Sequence, residues 1–153
     1  MGSTTERLFG SVMADYDAEI RALLNKYNIG FDDEIHDITF PRRPFEQGKR
    51  RISTCLHSTS VIITGSVKTI FEIQDTGADV ATIREGLVWA STQDVRDYPR
   101  SVVIGLLGSV RQTSDGEFII TFLQNQNNAW FLNINPVAHA GWHGGTLFLK
   151  VIR

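Results

Sequence analysis

Cys55 and His57 stand two residues apart, and a thiol beside an imidazole is the simplest pairing from which a nucleophile can be built. In an alternating strand, positions i and i+2 share a face, so the pair can be neighbours with no activating purpose. The reading adopted is a half-buried thiol next to a histidine. As Cys55 is the only cysteine, an intrachain disulfide framework and a Cys-rich zinc site are both excluded. His139 and His143 lie four apart in Ala138-His139-Ala140-Gly141-Trp142-His143-Gly144-Gly145, a spacing that would put both imidazoles on one side of a helix, facing a metal. The glycines disfavour that helix, and the nearest side-chain carboxylate in sequence is Glu117. Neither a metal nor a cofactor is expected.

Neutral chemistry is better represented. An exposed indole stacks on the apolar face of a sugar while amides bond its hydroxyls, so Trp130, Trp142, His139, His143 and Asn128 form a candidate contact site for a protein partner or a glycan. Asp94 and Asp97 sit beside Arg96 in a stretch that reads as a solvated turn. Gly141, Gly144 and Gly145 lack both the strand-to-helix context and the lysine of a phosphate-binding loop. Five basic residues, Arg42, Arg43, Lys49, Arg50 and Arg51, cluster before position 52, but Asp32, Asp33, Glu34, Asp37 and Glu46 share the segment. Self-neutralisation leaves at most weak nucleic-acid binding there, and a net charge of −2 adds no overall field for a polyanion.

These residues need elements to hold them, and 153 residues make about one domain. Phe9, Met13, Tyr16, Ile20, Leu23 and Tyr27 recur at spacings of four and three, which predicts an amphipathic helix over about 4–28 that packs on its own domain or on another copy. Ser3 and Glu6 have the pattern of a capping box, and Asn28-Ile29-Gly30 tolerates a left-handed stop. Pro41 and Pro44 bias 40–48 towards an extended linker or arm. After Ile52 the period becomes two, with strands expected over Ser60–Thr64, Val67–Ile73, Ser101–Arg111, Phe118–Leu123, Ala129–Leu132 and Thr146–Ile152. Residues 79–90 admit a short helix, yet Gly86 and Leu87-Val88-Trp89 favour a strand entered from a loop. Phe71, Ile104, Phe118, Ile120, Phe122, Leu132 and Leu149 are expected in the core.

The fold class that follows is mainly β: an antiparallel β-sandwich or jelly roll (52–153) preceded by one N-terminal amphipathic helix (1–30) and an extended arm (31–51). From Phe118 to Leu149 there is no Asp, Glu, Lys or Arg, which suits either central strands or an interface. The leading expectation is a non-enzymatic structural or interaction protein that self-assembles, with a trimer favoured and a virion component (capsid, decoration or fibre-associated subunit) as the layout it resembles. A carbohydrate or small-ligand binding module is the alternative, and a small enzyme using loop histidines comes third. No signal-peptide pattern or membrane-length apolar run is present, so a soluble protein, cytoplasmic or virion-associated, is expected.

Overall fold

Alternation governs the first segment. In the computed structural model, which describes residues 7–58, 73–136 and 146–153, Arg7–Asp15 is a strand, β1. Val12 and Ala14, with Tyr16 just beyond, turn to the core, while Ser11 and Met13 are exposed on the other face. The helix expected over 4–28 is therefore corrected to a strand followed by a short helix, α1, Ile20–Lys26. Heptad spacing and alternation both fit this stretch, and pairing along a neighbouring strand overrides a helix that Gly10 would weaken. The chain leaves α1 through Asn28 in the left-handed region, φ 55°.

The remaining elements are β2 (Gly30–Phe31), β3 (Lys49–Ser58), β4 (Asp79–Val80), α2 (Ile83–Ser91), a 3₁₀ turn (Val95–Asp97), β5 (Val103–Gln112), β6 (Phe118–Gln126), β7 (Ala129–Pro136) and β8 (Thr146–Ile152). Eight strands join one sheet in the order β1-β3-β8-β5-β6-β7-β2, and β4 also pairs with β8. Most pairs are antiparallel, but β5 runs parallel to β8 and β2 parallel to β7. The molecule is thus mainly β, built on one large mixed sheet, which corrects the purely antiparallel expectation. β1 and β2 bond into the same sheet as the later strands, so the first third of the chain is hydrogen-bonded to the rest.

Turn chemistry sets two of the hairpins. Asn127 (φ 56°) and Asn128 (φ 64°) are the two central residues between β6 and β7, the combination a tight two-residue hairpin demands. Between β5 and β6 the chain turns through Gly116 at φ 84°.

Both faces of the sheet are covered. Leu106, Ile119, Leu149 and Val151 face a large cluster shared with Ile20, Leu24 and Leu87 from the two helices. Their sequence neighbours Leu107, Ile120 and Phe148 face a smaller cluster with Ile73 and Val80. Residues 119–123 of β6 are all buried, flanked by β5 and β7, so burial on two sides explains why this part of the charge-free stretch carries no charge. Ile104, Ile120, Phe122, Leu132 and Leu149 are buried as expected, whereas Phe71 and the side chain of Phe118 lie outside the description.

α2 corrects the strand expected near residues 86–90. Thr82 accepts from the Glu85 N–H while the Glu85 carboxylate accepts from the Thr82 N–H, a complete capping box. Every residue from Ile83 to Ala90 is buried, so no polar stripe marks the helical period. Gly86 lets the helix lie against β5: a Cβ there would stand 2.5 Å from Leu106 Cδ1. Among the described residues no helix is long and apolar enough to cross a membrane.

Candidate functional site

Two clusters of ionisable side chains lie on opposite sides of the sheet. The first is organised by Glu85, fully buried at the start of α2. Tyr16 Oη donates to Glu85 Oε2 at 2.6 Å, and Arg153 donates to both carboxylate oxygens, Nε at 2.8 Å and Nη2 at 2.9 Å. Arg153 also donates through Nη1 to Asp79 Oδ2 at 2.6 Å, and its guanidinium lies 3.9 Å from the centre of the Phe45 ring. Thr82 Oγ1 donates to Glu46 Oε2 at 3.2 Å, which in turn lies 3.7 Å from Arg84. Arg84 reaches Asp37 at 2.9 Å and the Ala18 carbonyl at 2.8 Å.

Electrostatics inside this network follow from burial and pairing. Burial, reinforced by the bond to Glu85, pushes the Tyr16 phenol well above its ordinary range. Burial opposes the charged forms of Arg153 and Asp79. For Arg153, its bonds and attraction to Glu85 and Asp79 outweigh that and raise its pKa. For Asp79, the Arg153 guanidinium and the Val80 N–H outweigh it and hold the carboxyl below its usual value. A catalytic acid needs a proton it can release and a path to substrate, and here the phenol is held protonated and each carboxylate has an assigned donor. The network is a bolt joining α2, the 40–48 segment and the residue that follows β8.

The 40–48 segment reads differently once seen in place. Phe40 and Glu46 are buried, Phe45 packs edge-on against Tyr16 at 5.9 Å, and Arg42 donates to the Asp17 carbonyl at 2.8 Å. This segment is fastened to its own molecule. Arg43 stacks at 5.2 Å on Phe45, while Lys49, Arg50 and Arg51 begin β3 opposite Asp15, Ala14 and Met13.

The second cluster contains the pair that the sequence brought forward. β3 alternates as expected, so Ser53, Cys55 and His57 share one face, and both Cys55 and His57 are buried. Cys55 is the register partner of Lys150 on β8, and His57 of Phe148. Lys150 is only 5% exposed, and its ammonium donates to Thr76 Oγ1 at 3.2 Å. A cavity of about 150 Å³ opens here, walled by Ser53, Cys55, Thr76, Ala78, Lys150 and Ile152. Sequence reasoning missed Lys150, because nothing local joins it to Cys55; only the pairing of β3 with β8 does.

The contact site read from neutral side chains is divided. Trp130 is buried, with its ring 5.8 Å from Trp89 and 5.2 Å from Tyr98, and its Nε1 donates to the Gln93 carbonyl at 3.4 Å. Its indole belongs to an aromatic core, a correction that follows from the inward register of β7. Asn128 is an exposed turn residue whose N–H donates to Asn125 Oδ1 at 3.0 Å. His139, Trp142 and His143 lie outside the described residues. Of the helix positions, Ile20 and Leu23 are buried on α1, Tyr16 is buried in the Glu85 network, Tyr27 is half-buried, Met13 is exposed on β1, and the Phe9 side chain is undescribed. Since β1 is a strand, these residues do not form the continuous seam that assembly by helices would need.

Among the described residues no group of three or more His, Cys, Asp or Glu is placed to hold a metal ion. Compared with protein-family models, with curated proteins and with solved structures, the chain matches none.

Proposed function

We propose that this chain is a non-enzymatic interaction protein that self-associates, two copies adding to one another along β1. The observation that supports this reading is the position of β1: nine residues long, at the end of the strand order, bonded to β3 on one side with no strand on the other among the described residues. An unpaired edge is a template for another chain. Two such edges related by a two-fold axis run antiparallel, so the Ser11–Asp15 stretch of each copy would lie along that of the other. Met13, 44% exposed on β1, and Ile152, 59% exposed on β8, lie on the same side of the sheet and add apolar surface near this edge. The three-fold expectation drew on a heptad helix and on the charge-free stretch towards the C-terminus; with a strand in place of that helix, we favour two-fold pairing. The irregularity between Leu8 and Ser11 limits regular pairing to the part of the edge nearest Asp15.

Light scattering over a range of concentrations tests the reading. A dimer is expected, and Met13→Lys, at an exposed position, should shift the mass towards monomer while changing stability by only about 0.5 kcal/mol. A monomer at every concentration overturns it.

A further inference from the structure

We infer that Met13 is a modification site through which a peroxide controls self-association, oxidation of its thioether separating the copies; this regulation rests on the pairing along β1. The direction of the backbone places Met13 at the centre of that pairing. Tyr16 N–H donates to the Gly48 carbonyl at 2.9 Å, and Tyr16 continues the register in which Asp15 faces Lys49. In an antiparallel ladder the residues that bond to a given neighbour alternate, so Ala14 and Val12 also direct their N–H and C=O towards β3. Ser11, Met13 and Asp15 direct theirs away, to the side on which no strand lies among the described residues. Of the registers open to two such edges, only the one that sets Met13 opposite Met13 uses Ser11, Met13 and Asp15 of both copies at once. The two-fold axis then passes between the two Met13 residues.

The side chains favour the same register. Ser11, Met13 and Asp15 share the exposed face, since Val12 and Ala14 pack against the core. Setting Met13 opposite Met13 also sets Ser11 opposite Asp15 of the second copy. Arg51 Nη1 donates to Ser11 Oγ at 3.3 Å, so that hydroxyl keeps its own hydrogen for the facing carboxylate, and the guanidinium adds its positive charge. Between these polar pairs the two Met13 side chains lie side by side, each with Arg51 of its own copy as its neighbour on β3. Thioether against thioether is the apolar centre of an otherwise polar row.

Met13 is 44% exposed, enough for a small oxidant to reach it, while Cys55 is buried and Met1, the other methionine, lies outside the described residues. The sulfur lone pair attacks the distal oxygen of the peroxide. The S–O bond forms as the O–O bond breaks, and the proton of the transferred oxygen passes to the departing one, leaving a sulfoxide and water or an alcohol. Sulfur loses two electrons and the peroxide gains them. A sulfoxide accepts hydrogen bonds and donates none, and the two-fold axis sets two of them against each other with no hydrogen to share. Water satisfies both oxygens better once the copies are apart.

For the test, the protein is treated with dilute hydrogen peroxide, which catalase then removes, and oxygen gained at Met13 is read by peptide mass spectrometry. Light scattering against concentration gives the dimer Kd before and after. Oxidation should weaken the dimer by about tenfold, and the two methionine sulfoxide reductases, one for each sulfoxide epimer, should restore it. Met13→Leu is compared only with itself: whatever its Kd, peroxide should leave that value unchanged. If Met13→Leu does not fold, Met13→Gln takes its place in the same comparison. A wild-type dimer that keeps its Kd with Met13 fully oxidised overturns the inference and leaves the pairing along β1 standing, as does a Met13 that peroxide does not oxidise. An equal loss in Met13→Leu assigns the effect to another sulfur and overturns it too. A chain that is monomeric at every concentration before any peroxide is added overturns the pairing itself, and the switch with it.

Discussion

At the scale of single residues, Arg153 carries more of the structure than its place in the sequence suggests. It is the partner of both Glu85 and Asp79, and Glu85 has no exposure to solvent. Arg153→Met leaves that carboxylate without its cation and should cost about 3–5 kcal/mol in denaturant unfolding; adding Glu85→Gln should return part of the loss, because the uncompensated charge goes too. The network also fixes how stability depends on pH. Asp79 has a lowered native pKa, so its contribution is present above the ordinary value of 3.8 and is lost as pH falls through the lower native value. Asp79→Asn should flatten that acid limb of the stability curve while lowering its plateau. Tyr16 behaves in the opposite sense: with a pKa raised above 10.0, its contribution is full below that pH and is lost as pH rises through the native value. Titration of phenolate absorbance should show a late-ionising component that Tyr16→Phe removes. None of these pairings was legible in the sequence, where Arg153, Glu85 and Tyr16 lie far apart. Cys55 and His57 were, because strand alternation is a local property.

The elements divide by whether their determinants are local. Both asparagines of the β6–β7 turn and Gly116 before β6 take positive φ, as the composition of those turns implied. β1 and α2 were misread for opposite reasons. The β1 segment satisfies two periods at once, and its choice is made by β3. The α2 segment satisfies none, because all of its faces are buried, although Thr82-Ile83-Arg84-Glu85 carries the cap signature openly. Packing against β5 makes two glycines unequal. A Cβ at Gly86 would meet the tips of Leu106 at 2.5 and 2.6 Å, and those can turn aside; one at Gly108 would meet the Ala81 carbonyl oxygen at 2.6 Å and the Val80 carbonyl oxygen at 2.7 Å, and backbone cannot. Thermal or denaturant unfolding should therefore place Gly86→Ala within about 1–3 kcal/mol of wild type and Gly108→Ala beyond it. Equal losses would mean that β4 and β5 separate more easily than their contact implies.

For the molecule as a whole, mainly-β character could be read from alternation and turns, while strand order could not, since it depends on pairs distant in sequence. The order has one property that governs the rest. β3 and β5 are each bonded to β8 and not to one another, so β8 is the seam between a β1-β3 half and a β5-β6-β7-β2 half. Among the described strands, the one that links the two halves of the sheet is a piece the molecule can lend. Should β8 leave its slot during refolding, the slot of a second copy accepts it equally well, and the two chains become interlocked by exchange of the same strand. Refolding at high protein concentration should trap such an exchanged dimer, slow to revert on dilution, and a version of the chain with a shortened connection into β8 should trap more of it.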